Sequence, residues 1–232
     1  MSKKSNKKQI RAEKKQAGEH RQKRNSVFFR VAVGVLIALS MVVLYEGFFT
    51  AAPVYNPDEV SITDHTQGAA DAPVTMTVYA DFECSSCQKE AEVIARAWSQ
   101  IRDNTRFVFR YYPLDTHRYS FLAARYAEAA SKQDKFWGMH DLLFGNQQLW
   151  ATAPDAGPLF DSYAEQLAMD MDQLKIDLES NEVRAKIIAD QKGGTRAGVR
   201  GTPVMFLNGR RVDNPRSAGE LVKLIDGALA EL

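Results

Sequence analysis

The sequence predicts an α/β fold in which a block of helices separates two groups of strands, preceded by one N-terminal transmembrane helix. Three observations support this prediction. Alternating, β-branched strand patterns occur near residue 75 and again near residue 205, helical patterns fill most of the interval between them, and an uncharged apolar run lies close to the N-terminus.

Residues 1–26 form a basic tail. Residues 1–30 contain eleven Lys or Arg and two Glu, a net charge of +9, whereas the remaining residues have a net charge of −8. The tail has almost no apolar residues, so it cannot bury enough surface to fold, and we expect it to be disordered. A polybasic run can bind nucleic acid, but the apolar segment directly after it favours a cytoplasmic tail beside a membrane, with no nucleic-acid partner.

Residues 27–49 form the predicted transmembrane helix. At about 1.5 Å rise per residue this segment spans roughly 34 Å, enough to cross a hydrocarbon core of about 30 Å. Arg30 and Glu46 lie near its ends, and Tyr45 and Phe49 suit the aromatic belt at a membrane surface. Because basic residues collect on the cytoplasmic side, the tail is predicted inside and the rest of the chain outside.

A cleaved signal peptide is the competing interpretation of the same segment. Thr50-Ala51-Ala52 has the small residues of a cleavage site, although Pro53 and the long basic region argue against cleavage. Both interpretations export the remainder of the chain. Residues 50–72, rich in Ala, Pro, Asn, Asp, Thr and Gly, read as a linker in which Val60-Ser61-Ile62 could add a short edge strand.

The following region begins with a strand, a helix and a second strand. Val74 to Ala80 and Arg106 to Tyr112 have strand patterns, and the helical face between them includes Val93, Ala97 and Ile101. This spacing is typical of a βαβ unit with parallel strands. Helical patterns then cover residues 120–132, 136–144, 159–169, 172–178 and 182–191, with Asp172 as a plausible N-cap.

The last strands are predicted on either side of Asn208-Gly209. An Asn-Gly pair between apolar runs is a strong hairpin signal because both turn residues need positive φ. The flanking strands are Val204 to Leu207 and Arg210 to Val212, and a helix over residues 217–232 closes the chain.

The only two cysteines stand in Asp81-Phe82-Glu83-Cys84-Ser85-Ser86-Cys87, between the first strand and the first helix. The free N–H groups and the dipole of a helix N-terminus stabilise a thiolate over a thiol. Paired cysteines also bind zinc, but zinc needs about four ligands. His117 and His140 are the only histidines of the predicted folded body and both lie in the helical block, so we expect a redox-active pair and no metal.

Gly201-Thr202-Pro203, at the start of a strand, resembles the cis-proline loop of thioredoxin-fold proteins. Together with Asp81-Phe82-x-Cys84-x-x-Cys87, and with Phe136-Trp137 and His140 between, it resembles the DsbA-like thiol-disulfide oxidoreductases. The resemblance covers about residues 70–230 and is greatest to the membrane-anchored branch in Gram-positive-type envelopes. It implies a thioredoxin-like domain over residues 73–232 with a helical insertion at about 115–195.

The resemblance implies a role for each site residue. Cys84 is the attacking cysteine and Cys87 the resolving one, while Thr202 and Pro203 form the loop that contacts substrate. No cofactor is implied beyond the redox-active disulfide Cys84-Cys87.

Two features depart from the family pattern. Strongly oxidising members have Pro-His where this chain has Ser85-Ser86, so we expect a Cys84 pKa below ~8.5 but above ~3.5. Val78 stands where many relatives have a buried acid that accepts the proton of the inner cysteine. Asp81 and Glu83 are candidates for that proton route, although Asp81 could instead cap the helix and Glu83 could simply be solvated.

Three further residues have two interpretations each. His117 could overhang the active site or serve as a cap, and His140 is expected to be a buried core histidine rather than a ligand. Arg200 could steer substrates or be a solvated loop residue.

The predicted function is a membrane-anchored, extracytoplasmic oxidase that introduces disulfides into exported cysteine-containing proteins. The resemblance implies reoxidation by a membrane quinone-linked thiol oxidase. A reductase or isomerase on the same fold, and a non-catalytic chaperone-like or metallochaperone module, are the alternatives.

Overall fold

A computed structural model of the chain describes residues 33–35, 40–41, 57 and 59–232. The chain divides into two units, Met1–Ala52 and Pro53–Leu232. Residues 33–35 and 40–41 of the first unit are helical. The predicted tail and most of the predicted transmembrane segment 27–49 lie outside the described residues. Among the residues that are described, no helix has the length and apolar character needed to cross a membrane.

The second unit is built on a mixed sheet, which confirms the predicted α/β class. Five strands are described, in the spatial order β1-β3-β2-β4-β5. Strands β2 and β3 are parallel, whereas β1 pairs with β3, β4 with β2, and β5 with β4 in antiparallel fashion. The strands are β1 (His65–Gln67), β2 (Val74–Ala80), β3 (Thr105–Tyr111), β4 (Val204–Leu207) and β5 (Arg210–Val212).

The predicted helix connects β2 and β3. Between β3 and β4, every described element is a helix. The described helices are α1 (Ser85–Ile101), α2 (Ser120–Ser131), α3 (Phe136–Gly145), α4 (Gln147–Ala151), α5 (Gly157–Gln166), α6 (Met171–Glu179), α7 (Asn181–Arg196) and α8 (Ala218–Ala230). The N-cap of α6 is Asp170 and not the predicted Asp172, because the Asp170 carboxylate accepts the amides of Asp172 and Gln173.

The first strand lies later than predicted. Residues 60–62 do not form a strand, and Ile62 is fully exposed. The amide of Ser61 donates to the Asp64 carboxylate at 2.8 Å, and the amide of Asp64 donates to the Ser61 carbonyl at 3.0 Å. This turn uses the groups that a strand would need, so pairing with β3 begins only at His65.

The turn chemistry of the last hairpin is as predicted. Asn208 and Gly209 have φ values of 48° and 75°, the positive values that a two-residue hairpin turn requires. The apolar core lies between the sheet and its helices and includes the buried faces of β2, β3 and α1.

Candidate active site

The sheet register explains how two motifs far apart in sequence meet. Strands β2 and β4 are antiparallel, with Tyr79 opposite Val204, so the C-terminal end of β2 adjoins the start of β4. Cys84 follows β2 by four residues and Pro203 immediately precedes β4. The Cys84 thiol therefore donates to the Thr202 carbonyl at 3.5 Å, and the Thr202-Pro203 peptide bond is cis.

Cys84 is the N-cap residue of α1, with extended backbone angles of φ −74° and ψ 119°. The amide of Cys84 donates to the Asp81 carbonyl at 3.1 Å, which closes the turn after β2. Gln147 also stabilises this turn. Its buried side-chain amide donates to the carbonyls of Phe82 at 2.7 Å and Cys84 at 3.0 Å. Sequence patterns gave no signal for Gln147, since it lies on a short helix 63 residues away.

The environment of Cys84 favours its thiolate. Hydrogen bonding from the Cys87 thiol is the largest cause, and it lowers the Cys84 pKa from 9.0 to about 5. Partial burial opposes this change, while the backbone amides of Ser86 and Cys87 add to it. The value falls within the range expected for a dipeptide without a cation. Ser85 and Ser86 have exposed side chains, and Ser86 acts on Cys84 through its backbone amide.

Cys87 differs from Cys84 in almost every respect. Its side chain is buried, and burial is the main cause that raises the pKa of its thiol, followed by its hydrogen bond to Cys84 and the negative charge there. The amide of Asp81 donates to the Cys87 sulfur at 3.4 Å. The pair therefore combines an accessible sulfur that ionises easily with a buried sulfur that keeps its proton.

Asp81 lies beside the cysteines, and both oxygens of its carboxylate have hydrogen-bond partners. One oxygen accepts the amide of Glu83 at 2.8 Å, and the other accepts the amide of Leu114 at 2.9 Å and contacts His117 Nδ1 at 2.7 Å. Asp81 is buried, whereas the His117 side chain is 27% exposed. His117 is thus brought to the edge of the site by its 2.7 Å contact with Asp81.

The remaining predicted residues have structural partners. The Glu83 carboxylate accepts the amide of Tyr119 at 2.5 Å, directly before α2. His140 is buried among aromatic rings with Nδ1 2.8 Å from the Asp141 carboxylate, as expected for a core histidine. Arg200 donates to the carbonyls of Thr195 and Val199 at 2.6 and 2.9 Å, which braces the loop before Pro203.

One acidic residue was not singled out from the sequence. Glu90 lies one turn after Cys87 on α1, is only 4% exposed, and has no hydrogen-bond partner for either carboxylate oxygen in the described part of the chain. Burial, and then the charge of Cys84, raises the Glu90 pKa from 4.5 to about 8. Its position in the sequence was a signal that it is buried. At helical spacing, Glu90 shares one buried face of α1 with Cys87, Ile94, Ala97 and Ile101.

Glu90 lines a cavity of about 420 Å³ behind the cysteines. Cys87 and Val78 line the same cavity, together with aromatic residues of β3 and α3 and with polar residues that include Gln67 and Asp141. Val78, which stands where the resemblance would place an acid, therefore lines the same cavity as the acid that this chain does contain. No group of three or more His, Cys, Asp or Glu suited to a metal occurs within residues 33–35, 40–41, 57 and 59–232.

Comparison with known proteins gives two kinds of match in sequence. A family model described as Thioredoxin matches residues 60–227. A Na(+)/H(+) antiporter, NhaA 1 of Salinispora arenicola, is 39% identical over 167 residues, which are 72% of this chain and 24% of that protein. The chain thus spans about a quarter of the length of this relative.

Solved structures share the fold. The oxidised BdbD of Bacillus subtilis has a TM-score of 0.66 at 22% identity, covering 76% of this chain and 98% of that one. A thioredoxin-like oxidoreductase from Silicibacter pomeroyi has a TM-score of 0.63 at 24% identity, covering 73% and 94%. At these identities the likeness establishes a common fold.

Proposed function

Because the chain belongs to the thioredoxin family, we propose that it is a protein thiol-disulfide oxidoreductase that introduces disulfides through Cys84 and Cys87. The observation that supports this most directly is the contrast within the pair. Cys84 is half-buried at the start of α1 with its pKa lowered to about 5, and Cys87 is buried behind it with its pKa raised. Attack at the outer sulfur and resolution by the inner one require this contrast. Similar folds include a protein described as a thioredoxin-like oxidoreductase.

The reaction transfers a disulfide to the substrate. A substrate thiolate attacks Cys84 in the Cys84-Cys87 disulfide, the bond between the two enzyme sulfurs breaks, and Cys87 leaves and takes up a proton. A second substrate thiolate then attacks the mixed disulfide, which forms the substrate disulfide and releases the Cys84 thiolate. Two electrons and one or two protons pass from the substrate to the enzyme pair.

The direction of electron flow follows from the stability of the reduced pair. Whatever stabilises the Cys84 thiolate stabilises reduced enzyme over oxidised enzyme, and this makes the disulfide a stronger oxidant. A Cys84 pKa of about 5 is intermediate between the ~7 of thioredoxin and the ~3.5 of DsbA. We therefore propose an oxidase with a reduction potential between about −270 and −120 mV.

The substrates and the location are part of the same proposal. Extended segments of exported, cysteine-containing proteins would pair with the backbone beside Pro203, whose carbonyl accepts the Asn214 side chain at 2.7 Å. Residues 27–49 would anchor the chain in the cell membrane with the domain outside, and a membrane quinone-linked thiol oxidase would reoxidise it. Cys84 of the full chain in intact cells should react with a membrane-impermeant thiol reagent after reduction, and reaction only after lysis would refute this location.

Oxidative refolding tests the activity. The oxidised protein should restore the activity of reduced, denatured ribonuclease faster than glutathione buffer alone, while Cys84→Ala should not. A reduction potential near about −270 mV would indicate a reductase instead. No acceleration together with no redox reaction of the pair would favour a binding module.

Trapping tests the roles of the two sulfurs. Cys87→Ala should accumulate mixed disulfides with substrates through Cys84, since the resolving thiol is missing. Mixed disulfides formed by Cys84→Ala through Cys87 would reverse the assignment.

A further inference from the structure

Resolution at Cys87 requires a proton acceptor that the two cysteines do not supply. To attack a mixed disulfide, the Cys87 thiol must lose its proton, and burial makes that ionisation unfavourable. The group that receives the proton must be close to Cys87 and must have a free lone pair.

The two acids nearest in sequence are already engaged. Both oxygens of the Asp81 carboxylate are bonded, to the amides of Glu83 and Leu114 and to His117. The Glu83 carboxylate accepts the amide of Tyr119. Protonation of either acid would break contacts that hold the turn after β2 or the start of α2.

Glu90 meets both requirements. It stands three residues after Cys87 on one helix, a spacing that places side chains about 5–6 Å apart at Cβ, and both residues line one cavity. Its two oxygens are buried and have no partner in the described residues. A buried carboxyl group without partners favours its neutral form and can both bind and release a proton near neutral pH.

We propose that Glu90 exchanges the proton of the Cys87 thiol and that the cavity behind α1 is the path by which this proton reaches solvent. This inference rests on the proposed dithiol-disulfide exchange. In resolution, Cys87 sulfur bonds to Cys84 sulfur, the bond from Cys84 to the substrate sulfur breaks, and the substrate leaves as a thiolate. The Cys87 proton moves to the Glu90 carboxylate. In the reverse direction Glu90 returns the proton to the departing Cys87.

The charges around Glu90 link this exchange to Cys84. Burial is the main cause that raises the Glu90 pKa, and the charge of the Cys84 thiolate adds to it. Formation of a mixed disulfide at Cys84 removes that added charge, so the Glu90 carboxylate forms more readily when Cys87 must be deprotonated. Three other titratable groups line the cavity: Glu92 on α1, and His140 and Asp141 on α3. His140 and Asp141 contact each other. The α8 helix packs with the apolar core through Leu221 and Ile225.

A coloured disulfide separates the two cysteines in one experiment. Reduced protein mixed with a bis(nitrobenzoate) disulfide releases one coloured thiolate when Cys84 attacks and a second when Cys87 resolves the mixed disulfide. In the natural protein the second phase should accelerate with rising pH and level off as Glu90 ionises. Glu90→Gln should slow it at pH 7 by about 100-fold or more, with no levelling off, and leave the first phase unchanged.

Matched variants make the outcome decisive. Asp103→Asn removes an exposed acid just after the same helix, which pairs with Arg102 at 3.5 Å and does not line the cavity, and should leave both phases unchanged. Glu90→Asp keeps the acid and should restore part of the pH inflection, whether or not Glu90→Gln folds well. A second phase that is equal in Glu90→Gln and Asp103→Asn would overturn the proposal, as would a loss found in Asp81→Asn instead. Absence of both phases in the natural protein would refute the dithiol chemistry itself.

Discussion

At the N-terminus of α1, the sulfur of Cys84 ionises readily because Cys87 and two backbone amides donate to it. Removing the largest of these contributions should therefore move its titration. The ultraviolet absorbance of the thiolate should titrate with a midpoint of about 5 in the natural protein. In Cys87→Ala the midpoint should rise toward the ~8.5 of a free cysteine. An unchanged midpoint would mean that the amides alone stabilise the thiolate.

The same titration affects the stability of the reduced form. The folded-state pKa of Cys84 is below its ordinary value of 9.0, so its contribution to folding is complete above that pH and is lost as pH falls through about 5. The oxidised form has no thiolate. As the pH is lowered from 8 to 5, the unfolding free energy of the reduced protein should therefore fall relative to that of the oxidised protein.

Glu90 has the opposite effect on folding. Because its pKa is raised to about 8, its contribution to stability is fully present below about pH 4.5 and is lost as pH rises through 8. Glu90→Leu should increase the free energy of unfolding by a few kcal/mol, roughly, at pH 8 and by much less at pH 5. Urea unfolding of the reduced proteins at both pH values measures this. A variant less stable at pH 8 would show that the carboxylate has a stabilising partner.

At the scale of elements, the approach of α7 to the sheet depends on one glycine. A Cβ on Gly194 would lie 2.8 Å from Tyr79 Cδ1 and 2.9 Å from Tyr112 Cδ2. The Tyr112 hydroxyl donates to the Val199 carbonyl at 3.0 Å, so these rings also position the chain that leads to Pro203. A displaced Tyr112 would disturb the cis-proline side of the site.

Gly194→Ala should destabilise the protein by about 1–3 kcal/mol, because overpacking exceeds the gain of about 1 kcal/mol in helix propensity. Gly227→Ala is the matched control, since a Cβ there meets no atom within 4 Å on α8. It should be neutral or stabilising. Denaturant midpoints measure both variants, and equal midpoints would show that the aromatic rings shift freely.

At the scale of the whole domain, a buried charge network joins three distant segments. The Arg110 guanidinium on β3 contacts the Asp64 carboxylate at 2.8 Å, and the Lys186 ammonium on α7 lies 2.6 Å from Asp190 and 3.6 Å from Asp64. All four side chains are at most 6% exposed. The network ties the segment before β1 to the sheet and to the helical insertion.

Asp64→Asn should therefore destabilise the domain strongly, by about 3–5 kcal/mol, because it leaves two buried cations with one fewer counter-charge. The exposed pair of Arg96 and Glu92 provides the comparison, and Arg96→Ala should cost less than about 1 kcal/mol. Thermal unfolding at moderate salt distinguishes them. Similar, small losses in both variants would mean that the domain does not depend on the network.

The contrast between local and distant signals explains which features could be predicted. Strands β2 and β3 follow from β-branched alternation, and the hairpin follows from Asn208-Gly209, because these signals are contained in a few neighbouring residues. Cys84 and Pro203 were recognised through a resemblance, and the sheet register then accounts for their contact. The sequence does not show that Asp64 pairs with Arg110, because the two residues are 46 positions apart.

Glu90 shows a different limit. Its burial could be predicted, because Ile94, Ala97 and Ile101 lie at helical spacing on the same face of α1. The sequence does not show that Asp81 and Glu83 are engaged elsewhere, which leaves Glu90 as the available acid.

The unequal ionisation of the two sulfurs also determines how the reduction potential responds to acidity. Above about pH 5, and outside the range in which Glu90 titrates, reduction of the disulfide consumes two electrons but only one proton, because Cys84 stays a thiolate while Cys87 becomes a thiol. The potential should then fall by about 30 mV per pH unit, and by about 60 mV per unit in more acidic solution. A protein of this kind is a better electron acceptor in acidic surroundings, so the medium bathing the domain would set its oxidising strength together with its sequence.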